Sequence, residues 1–366
     1  MTIKGKRKKT KPVFDFKGVK ITAGIDAHLR QWNVTVYIEE RFFKTFQQSP
    51  CPETLKKYLY KNFPGGSYQS CYEAGYFGYT AHRELNKLGI KNIVINAADV
   101  PTTDKEKKRK SDKVDSKKLA KALLSNSLTG IYVPSKEMES DRRLVRQRTK
   151  TLRKQVTQNK LRLKAFLVMT GKHKQIEGYE KTYWSKAVLD QVEQIEYKYN
   201  GDRYIRDQYL EKYKKNRQEL LKINREIVLL SRTERYSEMV GYLRTIPGIG
   251  LLTAMAIITE IWDMTRFKTL DQLCSFVGIV PDTSSSDTTE HMKGMTKRAN
   301  VELRRLLIQS SWMATNRCTY MASIYQKHKI KRQQKGIIKV ARKILSIVRA
   351  LWLKKENYNI EKMYIV

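Results

Sequence analysis

Lys110-Ser-Asp-Lys-Val-Asp-Ser-Lys-Lys-Leu119 sets Asp112 and Asp115 three residues apart, with eight Lys or Arg between Lys105 and Lys118. In a helix that spacing puts both carboxylates on one face. Two carboxylates that can hold a hard cation, in a field that attracts phosphate, suit phosphodiester chemistry. Acidic residues also favour a first helical turn through the helix dipole, so the pair gains meaning only from partners elsewhere. Asp26 ends the apolar run from Val19, and Glu73 ends Tyr68-Gln-Ser-Cys-Tyr-Glu73. If these runs are parallel strands, their carboxyl ends share the sheet edge where ligands bind. Four carboxylates converging there repel one another unless divalent cations neutralise them. Two Mg²⁺ ions about 4 Å apart would activate an attacking oxygen and stabilise a leaving one.

The elements that must position these residues follow from patterning. Trp32 to Ile38 alternates as a half-buried strand, and Arg41 to Phe46 makes a third strand of a meander. Pro52 to Leu59 is a short helix, Tyr79 to Leu88 a second, and Lys91 to Asn96 a fifth strand before Pro101. The order predicts an α/β layer with a mixed sheet. Beyond Pro134 two long helical patterns, Leu144 to Met169 and about Arg206 to Leu230, flank a Tyr-rich stretch and predict a coiled-coil hairpin or dimerisation arm. Near Tyr242 a third region begins. Thr245-Ile-Pro-Gly-Ile-Gly250 enters an apolar helix, Leu252 to Trp262. This turn is either a phosphate-holding helix-hairpin-helix or a tight turn into a buried helix. A helix over Leu270 to Val277, a turn at Gly278–Pro281 and the polar run Asp282–Thr289 follow. Thr296 opens a helix through Ala314, and a basic amphipathic helix spans Lys335 to Leu353.

Composition narrows the partners. The 366 residues are 40% hydrophobic, enough to bury a sizeable core, and suffice for two or three domains. Lys and Arg number 73 against 36 Asp and Glu, a formal charge of +37 with pI near 10. A surplus that large destabilises a compact state unless a polyanion neutralises it, and nucleic acid is the default polyanion. The competing partners are an anionic membrane surface or a ribosome-like assembly. Cys51, Cys71, Cys274 and Cys318 form no C-x-x-C pair, which suggests free thiols in a reducing cytoplasm. No apolar run approaches the roughly 18 residues of a membrane span. Residues 1–20 are expected to be a basic disordered arm.

Gly24-Ile-Asp-Ala-His28, Tyr72-Glu-Ala-Gly75 and Lys110-x-Asp-x-x-Asp-x-x-x-Leu-Ala120 resemble the DEDD motifs of the IS110 family of insertion-sequence transposases, relatives of the Piv-type DNA invertases. Ile246-Pro-Gly-Ile-Gly250, Arg266-Phe267, Phe276-x-Gly278-x-x-Pro281, Thr296-Lys-x-x-Asn300 and Leu303-Arg304 match the family's C-terminal region. The resemblance runs from about residue 22 to 353. It implies a RuvC-like (ribonuclease-H fold) α/β catalytic domain over 21–135, a coiled-coil dimerisation segment over 136–235, and a mostly α C-terminal serine transposase domain over 236–366. It also implies that Asp26, Glu73, Asp112 and Asp115 hold Mg²⁺.

The family places a serine nucleophile five residues after the proline of the Gly-x-x-Pro turn, which gives Ser286; Asp287 stands where the family has glycine, leaving Ser285 as the alternative register. A serine hydroxyl needs a base or metal to act at neutral pH. His291 is isolated and supplies neither, and without the family match a flexible Ser/Thr loop is the simpler reading. The resemblance implies a covalent phosphoserine link to DNA, later displaced by a free 3′-hydroxyl. It further implies dimers pairing into tetramers, the serine of one protomer completing the acidic site of another, and guidance by a structured noncoding bridge RNA. The protein is expected to work in the prokaryotic cytoplasm, at the nucleoid. The alternatives are a Piv-like invertase without guide RNA, a RuvC-type structure-specific nuclease that uses water, and a non-enzymatic RNA-binding scaffold.

Overall fold

The computed structural model describes residues 15–75, 78–100, 112–286, 289–329, 333–359 and 361, with the backbone alone at 112–113, 282–286 and 289–293. The basic arm before residue 15 and the whole stretch Lys105–Ser111 lie outside the described residues. The chain divides into two compact units, Met1–Val133 and Pro134–Val366.

The first unit is a five-stranded mixed sheet in the order β3-β2-β1-β4-β5. β1 (Lys20–Ala27), β2 (Trp32–Ile38) and β3 (Arg41–Gln48) form the expected meander, while β4 (Ser67–Glu73) and β5 (Lys91–Ile95) run parallel to β1. Between them lie α1 (Pro52–Asn62) and α2 (Thr80–Lys87). Because side chains alternate along a strand, Ile21, Ala23 and Ile25 of β1 lie on one face with Val34 and Val36 of β2. There they meet Leu55, Leu59 and Leu85 of the helices in an apolar core. The opposite face is covered by α3 (Asp112–Leu124), whose Leu119 and Leu123 join Cys71, Ile95 and Val100 in a smaller cluster.

The contact of α3 with β1 explains Gly24. A Cβ there would lie 2.3 Å from both the Ala120 nitrogen and the Ser116 oxygen. Only glycine lets the helix backbone sit so close. The Ser116 hydroxyl shares a hydrogen bond of 2.9 Å with Thr35, which is bonded in turn to Thr45.

The second unit is helical apart from one hairpin. A single helix runs unbroken from Lys136 to Met169: α4 (Lys136–Lys150), a π-helical turn over Thr151–Thr157, and α5 (Gln158–Met169). It begins a full two turns before the expected Leu144, capped by Ser135, whose hydroxyl accepts from the Met138 N–H. α6 (Lys186–Gln194) lies in the Tyr-rich stretch, and α7 (Asn200–Ser231) returns along the first helix. Trp184, fully buried, centres a core built from α5, α6 and α7. Residues of the two long helices, Val145 and Ile227, also join the main core formed by the later elements.

Those elements are α8 (Glu234–Arg244), α9 (Leu251–Ile261), α10 (Leu270–Val277), the hairpin β6 (Pro281–Ser286) and β7 (Thr289–Met295), α11 (Val301–Thr315), α12 (Thr319–Lys329) and α13 (Gln333–Lys354). Two readings change. The polar run after Pro281 is a β-hairpin rather than a flexible loop. The helix expected from Thr296 starts at Val301, because the Asn300 side chain caps it by accepting from the Leu303 N–H at 3.1 Å. In the Pro-Gly-Ile-Gly turn, Gly248, with φ +88°, leaves room for the Ser310 carbonyl only 2.3 Å from where a Cβ would stand.

Candidate active site

Asp26 is the penultimate residue of β1 and Glu73 the last of β4. The parallel register pairs Gly24 with Cys71 and Ile25 with Tyr72, so Asp26 and Glu73 are the next step of that ladder, on neighbouring strands about 4.8 Å apart. Both lie on the face covered by α3, as the Cys71 thiol shows by donating to the Leu119 carbonyl at 3.5 Å. The turn after Glu73 is tied down. Ala74 N–H donates to the Ile95 carbonyl at 2.7 Å, and the Tyr72 hydroxyl donates to the Gly78 carbonyl at 3.0 Å.

Asp112 opens α3, and its side chain lies outside the described residues. Asp115 is half-buried and stands one turn before Leu119, on the helical row that reaches the sheet. Asp26 Oδ2 lies 3.0 Å from His28 Nε2. Among the described residues, no three side chains of His, Cys, Asp or Glu cluster as a metal site by themselves.

Sequence reasoning missed Asn33. It pairs with Asp26 across β1 and β2, so the two side chains share a face. It is fully buried, and neither its amide nitrogen nor its amide oxygen has a hydrogen-bond partner. A buried unsatisfied amide costs about 1–3 kcal/mol. The signal for it was present in Trp32-Asn-Val-Thr-Val-Tyr-Ile38, where a polar residue interrupts an otherwise β-prone run. An orphaned donor and acceptor beside a carboxylate, with further hard oxygen donors on the next strand and helix, fits a hydrated divalent cation.

In the second unit, Ser286 ends β6, paired in the backbone with Thr289; Ser285 pairs with Glu290 and Ser284 with His291. Asp287 lies outside the described residues. The roots of this hairpin are held by α11. Arg304 Nη1 donates to the Gly278 carbonyl at 3.1 Å, before β6, and to the Thr296 carbonyl at 2.8 Å, after β7. Asn300 N–H donates to the Phe276 carbonyl at 3.1 Å. Gly278 (φ +82°) fits there because a Cβ would stand 2.1 Å from that of Ala299.

Behind the root sits Glu260, its side chain 2% exposed. It accepts from Arg142 Nε at 3.0 Å, Arg146 Nε at 2.6 Å and Asn300 Nδ2 at 2.7 Å. Burial pushes its carboxyl up, but hydrogen bonds and charge from Arg146 and Arg142 outweigh that and hold it below the ordinary range. Its sequence signal was an acid in the apolar helix Leu252–Trp262 with no local partner.

Two family models match the chain. One, described simply as a transposase of the DEDD type, covers residues 23–171, and the other, described as "Transposase IS116/IS110/IS902 family", covers residues 240–326. Together they span more than half of the sequence. The chain belongs to the IS110/IS116/IS902 transposase family. The transposase for insertion sequence element IS1533 of Leptospira borgpetersenii is 27% identical over 304 residues, 80% of this chain and 85% of its own length. The Sinorhizobium fredii protein y4qE is 29% identical over 246 residues, 66% of this chain and 57% of its own, so the match spans less than two thirds of that relative. The transposase for IS1111A of Coxiella burnetii is 33% identical over 121 residues, about a third of each chain.

Membership makes this an insertion-sequence transposase, a DNA-binding enzyme of strand cleavage and transfer, with a DEDD domain that suggests a RuvC-like fold and use of a divalent metal. No helix among the described residues is long and apolar enough to cross a membrane.

Proposed function

We propose that this transposase cuts and rejoins DNA one strand at a time through Ser286, with Asp26, Glu73, Asp112 and Asp115 as the acidic set that holds Mg²⁺. The observation that carries the acidic half is the register of β1 and β4: it sets Asp26 and Glu73 side by side at the carboxyl edge, beneath the helix that Asp112 opens. When bound, the metal supplies Lewis acidity for an attacking and a leaving oxygen.

The chain's own groups then account for the chemistry. The Ser286 hydroxyl forms a new bond to phosphorus as the bond to the 3′-oxygen breaks; the serine proton passes to a carboxylate of the acidic set, and the leaving 3′-oxygen takes up a proton to become a free 3′-hydroxyl. A 3′-hydroxyl of the exchanged strand attacks the same phosphorus in the second step and gives its proton to the acidic set. The serine oxygen leaves and takes back a proton. Bond count is conserved at both steps, so no external energy source is needed. The formal charge of +37 supports a second nucleic acid, a structured guide RNA that pairs with donor and target DNA while the protein neutralises both backbones. Dimers, pairing on DNA, complete the assembly.

The test uses the full chain with its copurifying RNA and a plasmid carrying the gene's joined flanks. Ser286→Ala should abolish both cleavage and a protein–DNA adduct, whereas Ser285→Ala should retain them. Asp112→Ala should bind DNA and leave it uncut. Cleavage by Ser286→Ala would point to a water-using nuclease instead. Sequencing of the copurifying RNA should return one structured species from the gene's own flank; random cellular RNA sinks the guide.

A further inference from the structure

The hairpin bearing Ser286 is joined to the rest of its unit through two strand roots, and a single guanidinium spans them. Arg304 donates to a carbonyl on each side, at Gly278 and at Thr296. The roots also meet through the Thr296 N–H, which donates to the Val280 carbonyl at 3.1 Å. Three features show that this is a built device. Both bonds come from Nη1, whose two N–H groups are held at a fixed angle in the rigid guanidinium plane, so holding two carbonyls fixes their separation. Asn300 uses both ends of its amide, one to cap α11 and the other to reach Glu260. Glu260 is in turn gripped by two arginines of α4, far away in sequence. The chain of contacts runs from the α4 helix to the base of the hairpin without a gap.

We infer that Arg304, backed by Asn300 and Glu260, is a positioning residue for strand exchange: it locks the spacing and tilt of the hairpin roots and thereby aims Ser286. The inference rests on Ser286 as nucleophile. Short strands transmit an error at the base to the tip, and a displacement of about 1 Å at a reacting atom can cost about a hundredfold in rate. A side chain that instead contacted DNA through its charge would weaken binding, since phosphate contacts dominate affinity.

The experiment compares four full-length proteins and one reference on the same flank-bearing plasmid: the four are wild type, Ser286→Ala, Arg304→Ala, and Arg304→Ala with Val280→Cys and Thr296→Cys. Positions 280 and 296 face each other across the root, one step beyond the Pro281–Met295 pair, so an oxidised cysteine pair replaces the clip covalently. The same cysteine pair with Arg304 intact serves as reference. Adduct formation, DNA affinity and melting temperature are read for each, oxidised and reduced.

Arg304→Ala should form the adduct about a hundredfold more slowly with DNA affinity within twofold of wild type. Oxidation of the cysteine pair should restore most of the rate, and reduction should remove it again. Normal adduct formation by Arg304→Ala, with Ser286→Ala inactive, overturns this inference alone. Loss of DNA affinity overturns it by assigning Arg304 to direct contact with nucleic acid, and no rescue on oxidation in a folded protein overturns it by showing that root spacing is not what Arg304 supplies. Adduct formation by Ser286→Ala overturns the serine reading itself. Should Arg304→Ala fail to fold, Arg304→Lys carries the same redox comparison, because the donors of an ammonium rotate freely on a flexible stem and are not held in a fixed plane.

Discussion

Asp26 and Glu73 owe their neighbourhood to backbone register on adjacent strands, whereas the Ser286 hairpin owes its seat to side chains delivered from α4, α9 and α11. In the acidic half, the chain needs only correct strands and one glycine that lets a helix approach. In the serine half, it needs a buried carboxylate, three cationic or amide partners and a left-handed glycine to agree. A ladder tolerates surface change well. A clip of charged groups fails when any member is removed, because the others are left buried without a partner.

Breaking the clip should give the largest stability effect. Glu260→Ala strands Arg142 and Asn300 and should destabilise the second unit by about 3 kcal/mol. That is the low end for a buried pair, because the Arg146 side chain is 46% exposed. Denaturant titration followed by tryptophan fluorescence measures it. On the ladder side, Gly24→Ala forces α3 away from β1 and should cost about 2 kcal/mol by overpacking, with loss of cleavage but not of adduct-independent DNA binding.

Acid should sharpen the same contrast. Glu260 has a folded pKa depressed below its ordinary 4.5. A depressed carboxyl contributes stability that is fully present above the unfolded value and is lost as pH falls through the folded one. The stability of wild type should therefore fall below about pH 4.5, and the gap to Glu260→Gln should narrow there. A gap that stays constant down to the folded pKa would deny Glu260 this part.

The smallest stability effect belongs to Asn33→Ala. Losing an amide that has no partner should leave stability within about 1 kcal/mol. Mn²⁺ affinity, read by calorimetry on uncleaved complex, should weaken about tenfold, as for other groups that orient a metal's ligands. Unchanged affinity would separate Asn33 from the metal.

These contrasts also explain what could be read in advance. Strands β1 to β5 are local β-prone runs, and their succession along the chain was legible, while their order in the sheet was not. Asp26 and Glu73 are legible because strand ends are local facts. The β6–β7 hairpin was not, since Asp282-Thr-Ser-Ser-Ser-Asp-Thr-Thr289 has the composition of a loop and its pairing partner, Thr289–Met295, carries no clean alternation. Glu260 was passed over in its apolar helix because its arginine partners lie more than a hundred residues upstream. Asn33 required knowing which residue it pairs with across the sheet.

The π-helical turn at Thr151–Thr157 has a consequence for how this family can vary in length. Upstream of it, Arg142, Val145 and Arg146 serve the core around Glu260; downstream, Leu163 and Leu167 serve the core around Trp184. One extra residue accommodated in a wide turn rotates everything beyond it by about 100°. The turn therefore acts as a phase setting between two cores on one rod. Deleting a single residue there would yield a more regular helix and leave one of the two cores facing solvent, so this segment should refuse a change of length by one.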